Sequence, residues 1–307
     1  MYSNIYITEE QQRQFDEDGF FLIADALSPT EVEDLIAVVD ELDAKYRREK
    51  EITPDEPFQV RNALAHHDRL LRLVDHPVML PLVADVLGFN IQIRTSHLDV
   101  RPPCPPEYAQ QTLGAKDSFF PWHSDAPNFG YPITNGQVPF VEVKVGYYLT
   151  DLTAHNSGAI CVVRGSHKMS PALLRDETYR IDPDQIVEVN VRPGTAMLWR
   201  TALWHCLTPN LSTQSRKCLY YGYHYRWIRP ADYLHQDADL LARCTPIQRQ
   251  LLGELGTGQQ NYMGDDAWVH PVSRHWRPQD EDIPLKGWTE ERERRRATLN
   301  VQSEAAG

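Results

Sequence analysis

Trp122-His123-Ser124-Asp125 places a histidine and an aspartate two residues apart. In an extended segment, residues i and i+2 project to one face, so an imidazole and a carboxylate would stand side by side. These are two of the three ligands of a 2-His-1-carboxylate facial triad, which leaves coordination positions open on a non-haem Fe(II). A turn with a capping aspartate is the plain alternative for the pair alone. The triad needs a second histidine from far along the chain, and Trp204-His205 supplies one. Arg216 follows His205 by eleven residues, at the entrance to another strand-like run. Three protein ligands leave room on iron for a bidentate 2-oxo acid such as 2-oxoglutarate. Its distal carboxylate then needs a cation, and arginine suits because its planar fork makes two parallel charge-assisted bonds. Taken singly, His205 reads equally as a satisfied core histidine, and Arg216 as a surface arginine of the polar stretch 212–217.

The elements that must position these residues are marked in the pattern. Thr8 with Gln11, and Ser28 with Glu31 around Pro29, are capping-box signatures of two helices. In the second, Val32, Leu35, Ile36, Val39 and Leu42 recur at helical spacing. A third helix is expected over Pro77–Leu87, ending at Gly88. From Asn90 the period changes to two, as Ile91, Ile93 and Thr95 alternate with Gln92, Arg94 and Ser96. Strand-like runs follow at Phe140–Leu149, Ala159–Val163, Ile186–Val191, Thr195–Trp199 and Lys217–Trp227, separated by proline-, glycine- and asparagine-rich breaks. Gly194 reads as a turn glycine feeding the strand before His205. In Val141-Glu-Val-Lys-Val-Gly-Tyr-Tyr-Leu149 the valines alternate with Lys144, which therefore points either into a barrel mouth or to solvent. After Trp227 the chain is expected to turn helical over Ala231–Leu252. The tail from Pro278 reads as charged and irregular, and its run Glu290–Arg296 as a solvated face. The segment Arg101–Phe120 holds four prolines and then Gly114, the composition of a lid with a stiff arm and a mobile tip; a fixed loop over the barrel edge is the alternative. Arg61 and Asn62 could reach the pocket as substrate contacts or simply open a helix. His66 and His67 read as solvent-facing and His167 as a turn residue. The aromatics Phe119, Phe120, Trp122, Phe129 and Tyr131 flank the His-x-Asp motif and could line a pocket.

The ordered set resembles the phytanoyl-CoA dioxygenase family. The resemblance runs from Phe15-Asp-Glu-Asp-Gly-Phe-Phe-Leu and Leu27-Ser-Pro-Thr-Glu-Val through Asn90-Ile-Gln-Ile to His123-x-Asp125. It continues with Ser157-Gly-Ala-Ile-Cys-Val-Val-Arg-Gly-Ser-His167, the glycine strand, His205 with Pro209-Asn210, and Arg216. It spans roughly Thr8 to Trp227. It implies a mainly β fold with flanking helices and a double-stranded β-helix (jelly-roll, cupin-like) core. It also implies Fe(II) held by His123, Asp125 and His205, 2-oxoglutarate anchored by Arg216, and O2 as second co-substrate. Two departures stand out. The family's Pro-Gly-Ser-His is Arg164-Gly-Ser-His167 here, and Leu207 stands where many relatives carry a small hydroxyl residue that helps hold 2-oxoglutarate. Thr208 or Lys144 is then the candidate for that second polar contact. Radical halogenases of this type lack the carboxylate ligand, so Asp125 argues against halogenation.

Composition limits the function further. The 307 residues fit one dioxygenase domain over 1–307, with a helical part at about 8–89, the jelly roll at about 90–228 and a helical and irregular part at about 229–307. Net charge is −12, which disfavours nucleic acid as a partner. No apolar run approaches a membrane span. The opening residues carry no basic n-region or apolar h-region, and the five cysteines are scattered with no CxxC, so reduced thiols and a cytoplasmic location are expected. The expected activity is hydroxylation of a small-molecule metabolite with release of succinate and CO2. A cupin-like isomerase or hydrolase, or a non-catalytic binding protein of the same fold, are the alternatives; oligomeric state is not legible.

Overall fold

A computed structural model describes residues 5–116, 118, 120–125, 138–254 and 283–306. Phe119, Phe129 and Tyr131 lie outside the described residues. In chain order the elements are α1 (Glu9–Glu17), β1 (Phe20–Ile23), α2 (Pro29–Lys50), β2 (Phe58–Arg61), α3 (Asp68–Leu71), α4 (Met79–Leu87) and β3 (Ile91–Arg101). There follow β4 (Glu142–Tyr148), β5 (Ile160–Val163), β6 (Ile186–Glu188), β7 (Ala196–Arg200), β8 (His205–Leu207), β9 (Arg216–Tyr225), α5 (Ala238–Ala242), α6 (Pro246–Leu251) and α7 (Pro284–Ala306).

Both expected capping boxes form. Thr8 Oγ1 accepts from the Gln11 amide at 3.1 Å while Gln11 Oε1 accepts from the Thr8 amide at 3.0 Å. Ser28 and Glu31 repeat the exchange at the start of α2. Each satisfies donors that a helix start leaves orphaned.

The strands make two antiparallel sheets, a six-stranded one in the order β1-β7-β4-β9-β3-β2 and a three-stranded one in the order β6-β5-β8. They face each other as a jelly roll. Tyr148, Met197, Trp199, Cys218 and Tyr220 of the major sheet pack on Ile160, Val162 and Leu207 of the minor one. The other face of the major sheet packs Val143, Val145, Leu198, Leu219 and Tyr221 against α2 and α4. Both faces are therefore buried, which explains why β4 is closed along its whole length.

Two expectations are corrected. The stretch 231–252 is not one helix: only α5 and α6 form, each short, because Thr245 with Pro246 starts a new helix at a new cap. The tail is not irregular, since α7 runs through Glu290–Arg296. Glu291 pairs with Arg294 and Arg295 at helical spacing, and Arg292 is buried with two bonds to Asp85 of α4, 2.6 and 2.9 Å. The loop after β3 does not cover the cavity described below with its middle. Tyr108, Gln111 and Gly114 line a separate cavity against the outside of the minor sheet. The loop is tied down by Cys104 N donating to Asn210 O at 2.8 Å and Trp122 N to Gly114 O at 2.9 Å.

Candidate active site

His123 does not lie in a regular strand. Residues 121–125 make one antiparallel bridge, in which His123 N donates to His205 O at 3.0 Å and His205 N to His123 O at 2.9 Å. Asp125 N donates to Thr201 O at 3.0 Å. This short pairing, rather than a strand, sets the two ends of the motif beside the distal histidine. β8 is fixed from its other edge by β5, with Val162 opposite His205. β7 leads into it from Gly194, whose φ of +87° and 2.7 Å approach of a would-be Cβ to Leu27 O require glycine.

The outcome is a compact donor set. One ligand atom from each of His123, Asp125 and His205 lies within 4.8 Å of the others. His123 Nδ1 lies 3.0 Å from Pro121 O, and His205 Nδ1 lies 2.9 Å from Leu203 O. A carbonyl only accepts, so each Nδ1 carries the proton and each Nε2 presents its lone pair. Burial, then the neighbouring His123, lowers His205 to about 4, so it is neutral at pH 7. Burial alone would raise the Asp125 carboxyl, but Lys144 and the two histidines hold it well below the usual carboxylate range. Two imidazoles presenting Nε2 and one carboxylate fit a divalent ion of the Fe(II) type.

Lys144 points into the cavity, not to solvent, and its Nζ donates to Asp125 Oδ2 at 2.7 Å. Arg216 is fully buried. Its Nη1 donates to Asp99 Oδ2 at 2.9 Å, its Nη2 bonds Tyr220 Oη, and its Nε has no partner among the described residues. Gly158 (φ +80°) closes on its stem, where a Cβ would stand 3.1 Å from Arg216 Cδ. Thr208 is a correction. Alternation along β8 turns His205 and Leu207 inward and Cys206 and Thr208 outward. Thr208 Oγ1 bonds Ala159 O and lines the other cavity, so it cannot supply the polar contact that Leu207 lacks. His167 is structural: it packs on Gly19 and its Nε2 lies 3.2 Å from Asp16 O. Asn62 is also structural, bonded to Gln236 and Asp232. His66 is exposed against Tyr46, and His67 caps α3.

The cavity holding the triad measures about 110 Å³. Besides the triad it is lined by residues that sequence reasoning passed over, Gln59, His97, Asp99, Arg101 and Tyr220. A signal existed: Thr95, His97, Asp99 and Arg101 alternate with Ser96, Leu98 and Val100, so polar residues form one face of a strand whose other face is largely apolar. Asp99 Oδ2 accepts from both Arg101 Nε, at 3.1 Å, and Arg216. Burial opposes ionisation of Asp99, but the two guanidiniums outweigh it and lower its pKa. A larger depression of about 450 Å³ between α2, α3 and α6 lies across the sheet and contains no triad.

Comparison with known proteins bears on this geometry. The family model for phytanoyl-CoA dioxygenase (PhyH) matches residues 15–218, and the chain belongs to that family. The ectoine dioxygenase of Bordetella parapertussis is 27% identical over 168 residues, which is 53% of this chain and 50% of that protein. The chain thus spans about half the length of that curated relative. The crystal structure of HygX from Streptomyces hygroscopicus with nickel and 2-oxoglutarate bound superposes with a TM-score of 0.55 at 21% identity, covering 77% of this chain and 94% of that one. EctD from S. alaskensis, with 2-oxoglutarate and 5-hydroxyectoine, gives 0.56 at 20% identity, covering 75% and 81%. At such identities the likeness is one of fold.

Proposed function

We propose that this member of the phytanoyl-CoA dioxygenase family is an Fe(II)- and 2-oxoglutarate-dependent dioxygenase that hydroxylates a small-molecule metabolite. One observation carries the reading. Three donor atoms, two from His123 and Asp125 and one from His205 far along the chain, lie within 4.8 Å, and backbone carbonyls accept from Nδ1 of both imidazoles. Fe(II) held by His123, Asp125 and His205 supplies O2-dependent decarboxylation of 2-oxoglutarate to succinate and CO2, coupled to substrate oxidation.

The chain's own residues bind and position. Pro121 and Leu203 carbonyls orient the ligand rings, and Lys144 donates to Asp125 Oδ2, the oxygen 3.6 Å from His205 Nε2, which would hold the carboxylate in place for the ion. Arg216 anchors the distal carboxylate of 2-oxoglutarate, with Arg101 beside it. A pair of guanidiniums sharing one aspartate keeps a net positive charge for that carboxylate to meet. Lys144 is the remaining candidate for a second polar contact. Ile160, Trp199 and Leu207 supply part of the cavity's apolar wall.

The substrate belongs to the small-molecule class, with neither nucleic acid nor membrane as partner. No helix among the described residues is long and apolar enough to cross a membrane, and a cytoplasmic location is part of the same reading. Ectoine, named for the curated relatives, is the first compound to try. The test is succinate release from 2-oxoglutarate under Fe(II) and O2, with and without ectoine and a metabolite panel, for wild type and His205→Ala. Wild type alone should release succinate. An isomerase, a hydrolase or a binding protein would consume no 2-oxoglutarate, and that result rejects the proposal.

A further inference from the structure

The inner face of the major sheet brings three cations to the cavity, Arg61, Arg101 and Lys144, with Arg216 buried on Asp99, against two carboxylates, Asp99 and Asp125. Three of these four cations are spoken for. Arg101 and Arg216 share Asp99, and Lys144 holds Asp125. Arg61 differs. It ends the edge strand β2, stands opposite His97 in the register with β3, and lines the cavity from its exposed end. Its side chain makes a single hydrogen bond, Nη1 to His97 Nδ1 at 3.3 Å, and it has no carboxylate partner among the described residues.

His97 orients Arg61 without neutralising it. The imidazole is buried against Tyr220, with ring centroids 4.9 Å apart. Burial first, then Lys144 and Arg61, depress its pKa well below the ordinary value, so it accepts at Nδ1 as a neutral ring. A guanidinium has five N–H donors in a fixed fork, and His97 occupies one. The rest of the fork has no partner among the described residues, and Arg61 lines the cavity together with Gln59 and Phe120. A divalent ion and a doubly negative co-substrate cancel each other's charge, so the positive excess of the walls persists in the loaded site, and it is greatest where the unpaired cation stands. A planar arginine fork matches a carboxylate and a phosphate alike, and a cavity of about 110 Å³ favours the smaller, planar carboxylate.

We propose that Arg61 is the substrate anchor, and that the substrate is a carboxylate-bearing small molecule whose acid group sits on Arg61 while the carbon to be oxidised faces the triad. This rests on the oxygenase reading above. The side chain would act by binding and orientation, leaving bond-breaking to the metal site.

The test separates the two claims. Wild type, Arg61→Gln and Arg61→Lys are loaded with Ni(II) and 2-oxoglutarate, which removes turnover. Binding is then measured calorimetrically for matched pairs of small amino and hydroxy acids and their carboxamides, proline and prolinamide among them. Wild type should prefer the acid of at least one pair by about 10-fold or more, the range of a hydrogen bond to a charged group. Arg61→Gln should lose that preference, and Arg61→Lys should regain part of it, which shows that the site still folds. An acid preference that survives in Arg61→Gln, or no preference in any wild-type pair, including no binding at all, overturns the anchor. Succinate release by Fe(II)-loaded wild type is scored separately. Its absence overturns the oxygenase reading, and only its presence together with a failed binding preference isolates the failure to Arg61.

Discussion

The two faces of the major sheet are made by the same strands and behave as different materials. On β3, Leu98 and Val100 turn to the helices while His97, Asp99 and Arg101 turn to the cavity. On β9, Leu219, Tyr221 and Tyr223 oppose Arg216, Cys218 and Tyr220. The polar atoms of the outer face are satisfied within the fold. Tyr221 Oη donates to Leu70 O at 2.7 Å and Tyr223 Oη to Val74 O at 2.9 Å, so the sheet is riveted to the chain between α3 and α4. The inner face leaves Asp99 Oδ1, Arg216 Nε and Trp199 Nε1 without a partner among the described residues. Burying polar atoms unpaired costs stability. The outer face therefore carries the fold, and the inner face carries the polar groups of the cavity. Substitutions on the two faces should separate stability from activity.

The largest separation is expected at the triad. His123→Ala, Asp125→Ala and His205→Ala should each lower turnover by more than about 100-fold, beyond what loss of a supporting contact around a metal site costs. Their melting curves should stay close to wild type in the absence of metal. Equilibrium Fe(II) or Ni(II) binding checks the cause, and a His205→Ala variant with full activity at added Fe(II) would break the assignment.

Next comes the outer face. Leu219→Ala removes a fully buried side chain from the helix-facing core and should cost about 2–5 kcal/mol in denaturant unfolding. Measured well below its melting temperature, it should keep wild-type metal affinity. If metal affinity and stability fall together, the two faces are not independent.

Between these lies Arg216→Ala. Loss of a buried charge-assisted pair costs about 2–5 kcal/mol, so the apparent KM for 2-oxoglutarate should rise roughly 30-fold or more with Fe(II) binding retained. This substitution also strands Asp99 with Arg101 alone. Adding Asp99→Asn should therefore recover stability without recovering KM. Recovery of both would mean that Arg216 serves the fold and another cation serves the co-substrate.

Much of this division could be read from the sequence, and what could not has a common cause. The caps of α1 and α2, most strands and the three ligands were legible because local pattern or motif order specifies them. The short strand β2 was not, since Phe58-Gln-Val-Arg61 offers only two alternations after a proline. The pairing of Asp99 with Arg216 depends on a register between strands 117 positions apart, and no local signal encodes it. The side of β8 on which Thr208 falls is settled by alternation from His205, once β8 is known to be a strand. The strand expected to carry His123 and Asp125 reduces to a single bridge. Their shared direction was still right, because a single bridge to His205 suffices. In α7 the charged run looked wholly solvated because Arg292 finds its buried partner on α4.

The smallest expected effect lies off the sheet and tests whether a depressed histidine marks a ligand at all. His167 and His205 are both lowered to about 4, in each case chiefly by burial. His205 points into the donor set, whereas His167 packs on Gly19, with Arg200 as its next-largest influence. The depression is thus a property of buried imidazoles, and the donor geometry does the discriminating. The sign of the consequence is fixed. In the unfolded chain His167 takes up a proton near its ordinary value of about 6.5, while in the folded chain it stays neutral down to about 4. The protonation linkage thus costs nothing above pH 6.5. As pH falls below that value the unfolded state binds the extra proton, and stability drops by at most about 1.4 kcal/mol per pH unit until the folded value is reached. Unfolding free energies of wild type and His167→Gln, measured from pH 7.5 to 5.0, should differ by a constant above pH 6.5. Below it, the difference should shift toward the variant by about 2 kcal/mol or less. A difference that stays flat across the whole range would mean that His167 takes up its proton in the fold as readily as in the unfolded chain, so that burial does not depress it.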